Sequence, residues 1–254
     1  MNSITFLGTG TSTGVPVTGC NCPTCRSLDP RDKRLRCSAL IQTPQSNILI
    51  DCSPDFRQQM LNLDFCDSID AVFITHEHYD HVGGIDDLRP YTYPTPIPLY
   101  ADAYSVQHLR ERLPYCFAEK KYPGVPQVEL RTIFPGDTVM VGNTPVTAFQ
   151  VMHGRLPILG YRIGDLCYIT DMSEMPPESE KFLSGAKILV VNALRHQPHH
   201  SHQTIEQAIS FAHSIGKQLT YIIHTSHHIA PHAQEQSLLP VGINLAYDGL
   251  RVEF

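Results

Sequence analysis

Short apolar runs recur along the whole chain, and many of them stop at a histidine or an aspartate. Ser3–Leu7 predicts a strand that runs into the tight polar turn Gly8-Thr9-Gly10-Thr11. Cys37–Thr43 and Asn47–Asp51 predict a hairpin about Pro44-Gln45-Ser46. A helix over Asp55–Leu63 follows Pro54. Ala71–Thr75 reads as a buried strand that ends just before a histidine cluster, and Asp86–Pro90 as a helix stopped by Pro90. Ile97–Ala101 is a strand, Ala103–Leu113 has helical spacing, and the aromatic, Pro- and Lys-rich stretch Pro114–Gln127 is an irregular loop.

The second half carries more strands. Val128–Phe134, Thr138–Val141, Thr144–Val151, Leu159–Ile163 and Leu166–Thr170 alternate like antiparallel strands joined by Gly-Asp and Gly-Asn turns. Lys187–Val191 predicts a strand, Gln203–Ser214 a helix and Leu219–His224 a strand. The tail, Val241–Ala246 and Leu250–Phe254 around Asp248-Gly249, reads as a closing hairpin. Strands followed by helices, twice over, predict an α/β fold. The expected architecture is an αββα sandwich of two facing mixed β-sheets with helices on the outer faces, in one domain over 1–254.

Composition changes this picture in three places. A hydrophobic share of 42% is enough for a proper core. The longest apolar run, around Ile188–Val191, suits a buried strand and not a membrane span. Met1–Phe6 lacks a basic segment followed by an apolar one, so the expected location is cytoplasmic. The formal charge of −6 and the lack of a visible basic face argue against a grip on long nucleic acid and for a small substrate. A homodimer stays compatible with all of this.

Fourteen histidines and eight cysteines carry the candidate chemistry. His76, His78, Asp80 and His81 fall within six residues just past a strand, where imidazole and carboxylate ligands suit zinc, manganese or iron. Gly83-Gly84 would let the chain pass close to such ions. Cys20, Cys22 and Cys25 form a tight thiol cluster, which in a cytosolic chain points to metal and needs one more ligand for tetrahedral zinc. The scattered Cys37, Cys52, Cys66, Cys116 and Cys167 read as core filler.

Thr75–Gly84 resembles the signature of the metallo-β-lactamase superfamily. That resemblance implies further ligands at strand ends, and His153, Asp171 and His224 stand there in order. It implies one cation on His76, His78 and His153, a second on Asp80, His81 and His224, and Asp171 bridging the two. Within the superfamily, the C-x-C-x-x-C run and His227, three residues past His224, resemble the phosphoribosyl cyclic phosphodiesterase branch of the carbon–phosphorus lyase pathway. This implies a structural zinc on Cys20, Cys22, Cys25 and His227.

The same branch implies a catalytic role for Asp80 and His202, with His202 either protonating the leaving oxygen or steadying phosphoryl oxygens. His196, His199 and His200 read as solvated, and His108, His213 and His232 as surface or satisfied. The implied activity is hydrolysis of small phosphodiesters, cyclic ribosyl or nucleotide esters among them, by water activated between two divalent cations. The rivals are a glyoxalase II-like thioesterase, a transfer-RNA 3′-processing nuclease and a non-catalytic metal-binding scaffold. Arg155 and the stretch from Arg110 to Lys121 could contact phosphates, but ordinary surface charge explains them as well.

Overall fold

Apolar residues on both faces of the central strands dictate three layers of core. The fold is taken from a computed structural model that describes residues 2–64, 66–217 and 219–254. In the first half, β1 (Ser3–Gly8), β2 (Ser38–Gln42), β3 (Asn47–Ile50), β4 (Ala71–Phe73), β5 (Ile97–Ala101) and β6 (Val128–Thr132) lie side by side. In the second half, β7 (Thr138–Val141), β8 (Thr144–His153), β9 (Leu156–Ile163), β10 (Leu166–Tyr168), β11 (Ile188–Asn192), β12 (Leu219–Ile223) and β13 (Ile243–Leu245) form a second sheet. The last strand, β14 (Arg251–Glu253), returns to the first sheet beside β1. The sheet orders are β14-β1-β2-β3-β4-β5-β6 and β13-β12-β11-β10-β9-β8-β7.

On β3, Ile48 and Ile50 join Val146, Leu159, Tyr161, Tyr168 and Val190 of the other sheet in one buried cluster, while Leu49 faces the opposite way. The outer face of the first sheet packs Leu40, Leu49, Val72 and Leu99 against Phe56, Val82, Leu88 and Leu109. These come from helices α2 (Phe56–Leu61), α3 (Tyr79–Val82) and α4 (Ala103–Arg112) and from the 3₁₀ segment Ile85–Tyr91, all after the short α1 (Pro23–Arg26). The outer face of the second sheet packs Phe149, Val151, Leu189 and Val191 against Ile205, Ala208 and Ala212. Those three line one side of α6 (Ile205–Ser214), which follows the short α5 (Pro114–Phe117) and precedes α7 (His232–Leu238). Truncating such a fully buried leucine as Leu49 to alanine typically costs about 2–5 kcal/mol. The expected αββα layering is what the chain builds. No helix among the described residues is long and apolar enough to cross a membrane.

Four local expectations differ. Pro90 does not stop its helix: it lies inside the 3₁₀ segment Ile85–Tyr91, whose looser bonding dispenses with one N–H. The loop after Leu113 starts with the helical turn α5. Strand β6 pairs in parallel with β5 and belongs to the first sheet, because alternation alone does not tell parallel from antiparallel edges. The tail is not a hairpin, since β13 pairs with β12 and β14 with β1, so Tyr247–Leu250 crosses from one sheet to the other.

Candidate active site

Parallel strands β3, β4, β11 and β12 point their C-terminal ends to one edge of the sandwich, where functional loops of open α/β sheets gather. Each candidate ligand sits at or just beyond such an end. His76 and His78 follow β4, Asp80 and His81 ride on α3, His153 ends β8, Asp171 follows β10 and His224 follows β12. Asp51, Asp171 and His224 all hold left-handed backbone (φ 58°, 58° and 57°), which non-glycine residues adopt at a cost. Each occupies the first position past a strand, or close to it, where the sharp turn swings the side chain across the sheet edge.

The side chains converge as two groups. Donor atoms of His76, His78, His153 and Asp171 lie within 4.8 Å of one another, and so do those of Asp80, His81, Asp171 and His224. Asp171 is common to both. His76 Nε2 and His78 Nδ1 are 2.9 Å apart, while His224 Nε2 lies 3.2 Å from Asp171 Oδ1 and 3.5 Å from Asp80 Oδ2. Burial pushes His76 far down, towards the neutral imidazole that a metal ligand must be. Burial would raise Asp80 and Asp171, but the facing histidines hold both well below the usual carboxylate range. Burial opposes a charge on His81 too, yet Asp171, Asp80 and Asp51 raise it well above its ordinary value. His81 Nε2 is buried without a hydrogen-bond partner. A proton held among three carboxylates, an orphaned ring nitrogen and a closed set of nitrogen and oxygen donors fit a pair of divalent cations.

Supporting contacts fix the ligands. Asp51 Oδ2 accepts from His81 Nδ1 at 2.7 Å, and Asp51 Oδ1 accepts from the Thr75 backbone N–H at 2.8 Å. The Thr75 hydroxyl sits 3.0 Å from His76 Nδ1. His153 Nδ1 donates to the Ser201 carbonyl at 2.8 Å, and the Thr170 hydroxyl donates to Asp171 Oδ1 at 2.8 Å. Sequence reasoning missed Asp51. Its signal was there, an aspartate closing a strand as Asp171 nearly does, but a single acid has no spacing to single it out. Gly84 serves another purpose than expected: a Cβ there would stand 2.1 Å from the Ser53 carbonyl oxygen, so glycine lets α3 press against the loop after β3.

The thiol cluster forms its own group. Cys20, Cys22 and Cys25 place their sulfurs 3.2, 3.5 and 3.4 Å from His227 Nδ1. Zinc–sulfur and zinc–nitrogen bonds at tetrahedral angles would hold such atoms about 3.5 Å apart. Cys37, Cys52, Cys116 and Cys167 are buried as core residues and Cys66 is half-buried.

His202 stands beside the ligands, its ring 4.7 Å from that of His153 and 5.0 Å from that of His224. Burial pushes it down to about 3, so it is neutral near pH 7 and offers an N–H donor, not an imidazolium proton. The neighbouring histidines are not simply solvated. His196 bonds to Glu206 (2.6 Å) and stands 3.0 Å from a carboxylate oxygen of the buried Glu235, and His199 packs 5.0 Å from His202. His200 is exposed, and His232 is buried against Arg34. Arg155 is exposed, and Arg112 donates to the Glu77 carbonyl, which pins α4 onto the ligand loop.

A sandwich of this layering with histidine and aspartate donors at one edge is the architecture of a metal-dependent hydrolase. A family model described as a beta-lactamase superfamily domain matches residues 46–225. A crystal structure of a diphosphatase from the PhnP family superposes with a TM-score of 0.93 at 39% identity, covering 100% of this chain and 97% of that one. The chain belongs to the metallo-β-lactamase superfamily and, within it, to the PhnP branch. Zinc-bound PqqB of Methylobacterium extorquens shares the fold at 20% identity, with a TM-score of 0.80 over 99% of this chain and 100% of that one. A Porphyromonas gingivalis protein named octanoyltransferase is 47% identical over 247 residues, 96% of this chain and 50% of the relative. The matching part spans a third to a half of the length of the curated relatives.

Proposed function

We propose that the chain hydrolyses small phosphodiesters, using His76, His78, His153 and Asp171 to hold one divalent cation and Asp80, His81, Asp171 and His224 to hold another. The observation that carries this reading is the joining of the two donor groups through Asp171 with His202 beside them. A bound pair of cations supplies Lewis-acid stabilisation of phosphoryl oxygens and a lowered pKa for water. The chain's own part is positional. Asp51, Thr75 and Ser201 fix the ligand rings, and His202 offers its N–H to an oxygen that gains charge as the ester bond breaks. Cys20, Cys22, Cys25 and His227 would hold a structural zinc that ties the early loop to the segment after His224.

A second reading is acyl-thioester hydrolysis, favoured by the octanoyltransferase name of the Porphyromonas relative. That name belongs to a protein of which the matching part is half, so it carries less weight than the site.

The test is turnover of bis(p-nitrophenyl) phosphate, 2′,3′-cyclic AMP, a glutathione thioester and an octanoyl thioester side by side, after reloading with manganese or zinc. The phosphodiesters are expected to give the higher kcat/KM. His202→Ala is expected to lower their kcat roughly 10²-fold without loss of metal. Preference for a thioester overturns the proposal.

A further inference from the structure

Each ligand imidazole has two nitrogens, and the one turned away from a cation needs a partner to keep the ring in place. In the group of His76, His78, His153 and Asp171, two rings have one. His76 Nδ1 has the Thr75 hydroxyl at 3.0 Å, and His153 Nδ1 has the Ser201 carbonyl at 2.8 Å. His78 differs. Its Nδ1 stands 2.9 Å from His76 Nε2 and so faces the donor group, while its Nε2 has no hydrogen-bond partner among the described residues. Its ring is 42% exposed, whereas those of His76, His81 and His224 are buried.

Glu77, between two ligands in the chain, has the complementary need. It is buried, and its Oε2 has no hydrogen-bond partner. Among the described residues, the one basic nitrogen within 4.0 Å of its carboxylate is His78 Nε2, at 4.0 Å from Oε1. Arg112 bonds instead to the Glu77 backbone carbonyl, which fixes the segment that carries both side chains. A carboxylate taken out of water without a partner costs stability, so its burial here calls for a donor. A ring without an acceptor and a carboxylate without a donor thus face each other. In the second donor group Asp51 makes that pairing with His81 at 2.7 Å.

We infer that Glu77 is a positioning residue: its carboxylate accepts from His78 Nε2–H and holds Nδ1 of that ring towards the first cation. Coordination through Nδ1 requires the ring proton on Nε2, where it is available to an acceptor. The last torsion of a glutamate is broad, and a turn about it is what the pair needs to close 4.0 Å to a hydrogen bond. Each cation then has one ligand ring backed by a carboxylate, His78 by Glu77 and His81 by Asp51. The inference rests on the cation-holding part of the reading above and is independent of the substrate.

The test follows the zinc retained by the fully loaded chain as a competing chelator is raised, in wild type, Glu77→Gln, His78→Ala and the double variant. Glutamine keeps the volume and removes the unpartnered carboxylate, so the fold is not expected to suffer. Glu77→Gln should bind one of its zinc ions roughly 10–100-fold more weakly than wild type and keep the others. If Glu77 acts through His78, the same substitution in the His78→Ala background should change affinity by no more than about twofold. An equal loss in both backgrounds marks Glu77 as part of the scaffold and overturns the inference, as does undiminished affinity in Glu77→Gln. A wild type that holds zinc at the thiol cluster alone overturns the cation-pair reading with it.

Discussion

Asp51 has no side-chain oxygen to spare: Oδ2 accepts from His81 Nδ1, Oδ1 accepts from the Thr75 backbone N–H, and both lie against the Thr75 hydroxyl. Fully buried and in left-handed backbone, it keeps a strained conformation that only its contacts justify. Its task is to aim His81 and to keep the proton of that ring on Nδ1, so that Nε2 faces the donor group. Asp51→Asn should therefore weaken zinc binding roughly 10–100-fold, read by competition with a chelator, although Asn keeps the volume. Undiminished affinity would mean that His81 needs no orientation. Compact motifs announced themselves at this scale, and isolated residues did not. H-x-H-x-D-H and C-x-C-x-x-C carry their own spacing, whereas Asp51 is one acid at one strand end, and the Ser201 carbonyl that accepts from His153 is a backbone group that any residue supplies.

At the scale of elements, β3, β4 and β11 were legible because an apolar run buried on both faces leaves little choice of structure, and β8 because its residues alternate. The tail was not, because strand–turn–strand describes equally a hairpin and a crossing between sheets; the pairing of β14 with β1 decides it. Helix α7 shows how distant pieces are joined. His232, at its first position, accepts from the buried Arg34 through Nδ1 (3.1 Å), and its backbone N–H donates to Asp32 (2.8 Å). Burial, with Arg34 and Arg31 beside it, pushes the ring down to about 4, against Asp29 and Asp32. A histidine unfolds to a pKa near 6.5, so the unfolded chain binds the proton more tightly. Stability from this site is then full above about pH 6.5 and declines as pH falls towards about 4. Urea unfolding between those limits should show a loss on the order of 1 kcal/mol that His232→Gln lacks. Equal slopes for the two proteins would refute the role of this ring.

Across the whole molecule, the two sheets bring together ligands that lie far apart in the chain. His76 to His81 come from the first sheet, His153, Asp171 and His224 from the second, and Asp171 meets both donor groups. The same edge holds the thiol cluster, because His227 is three residues past His224 and the segment between them is bonded to the first turn through Thr9, Thr11 and Thr225. Fold class could be read from apolar patterning, while the order of the candidate ligands His153, Asp171 and His224 came from the resemblance to the superfamily. The form of the loop between β11 and α6 could not be read, because it depends on contacts with α6, α7 and the β8–β9 turn. The most direct test is zinc content per chain, by elemental analysis, for wild type and Asp171→Ala, each assayed on bis(p-nitrophenyl) phosphate. Three donor groups predict about three zinc ions in the wild type, and about one in Asp171→Ala with turnover lost. A variant that keeps all its zinc, or keeps its turnover, contradicts a cation pair bridged by Asp171.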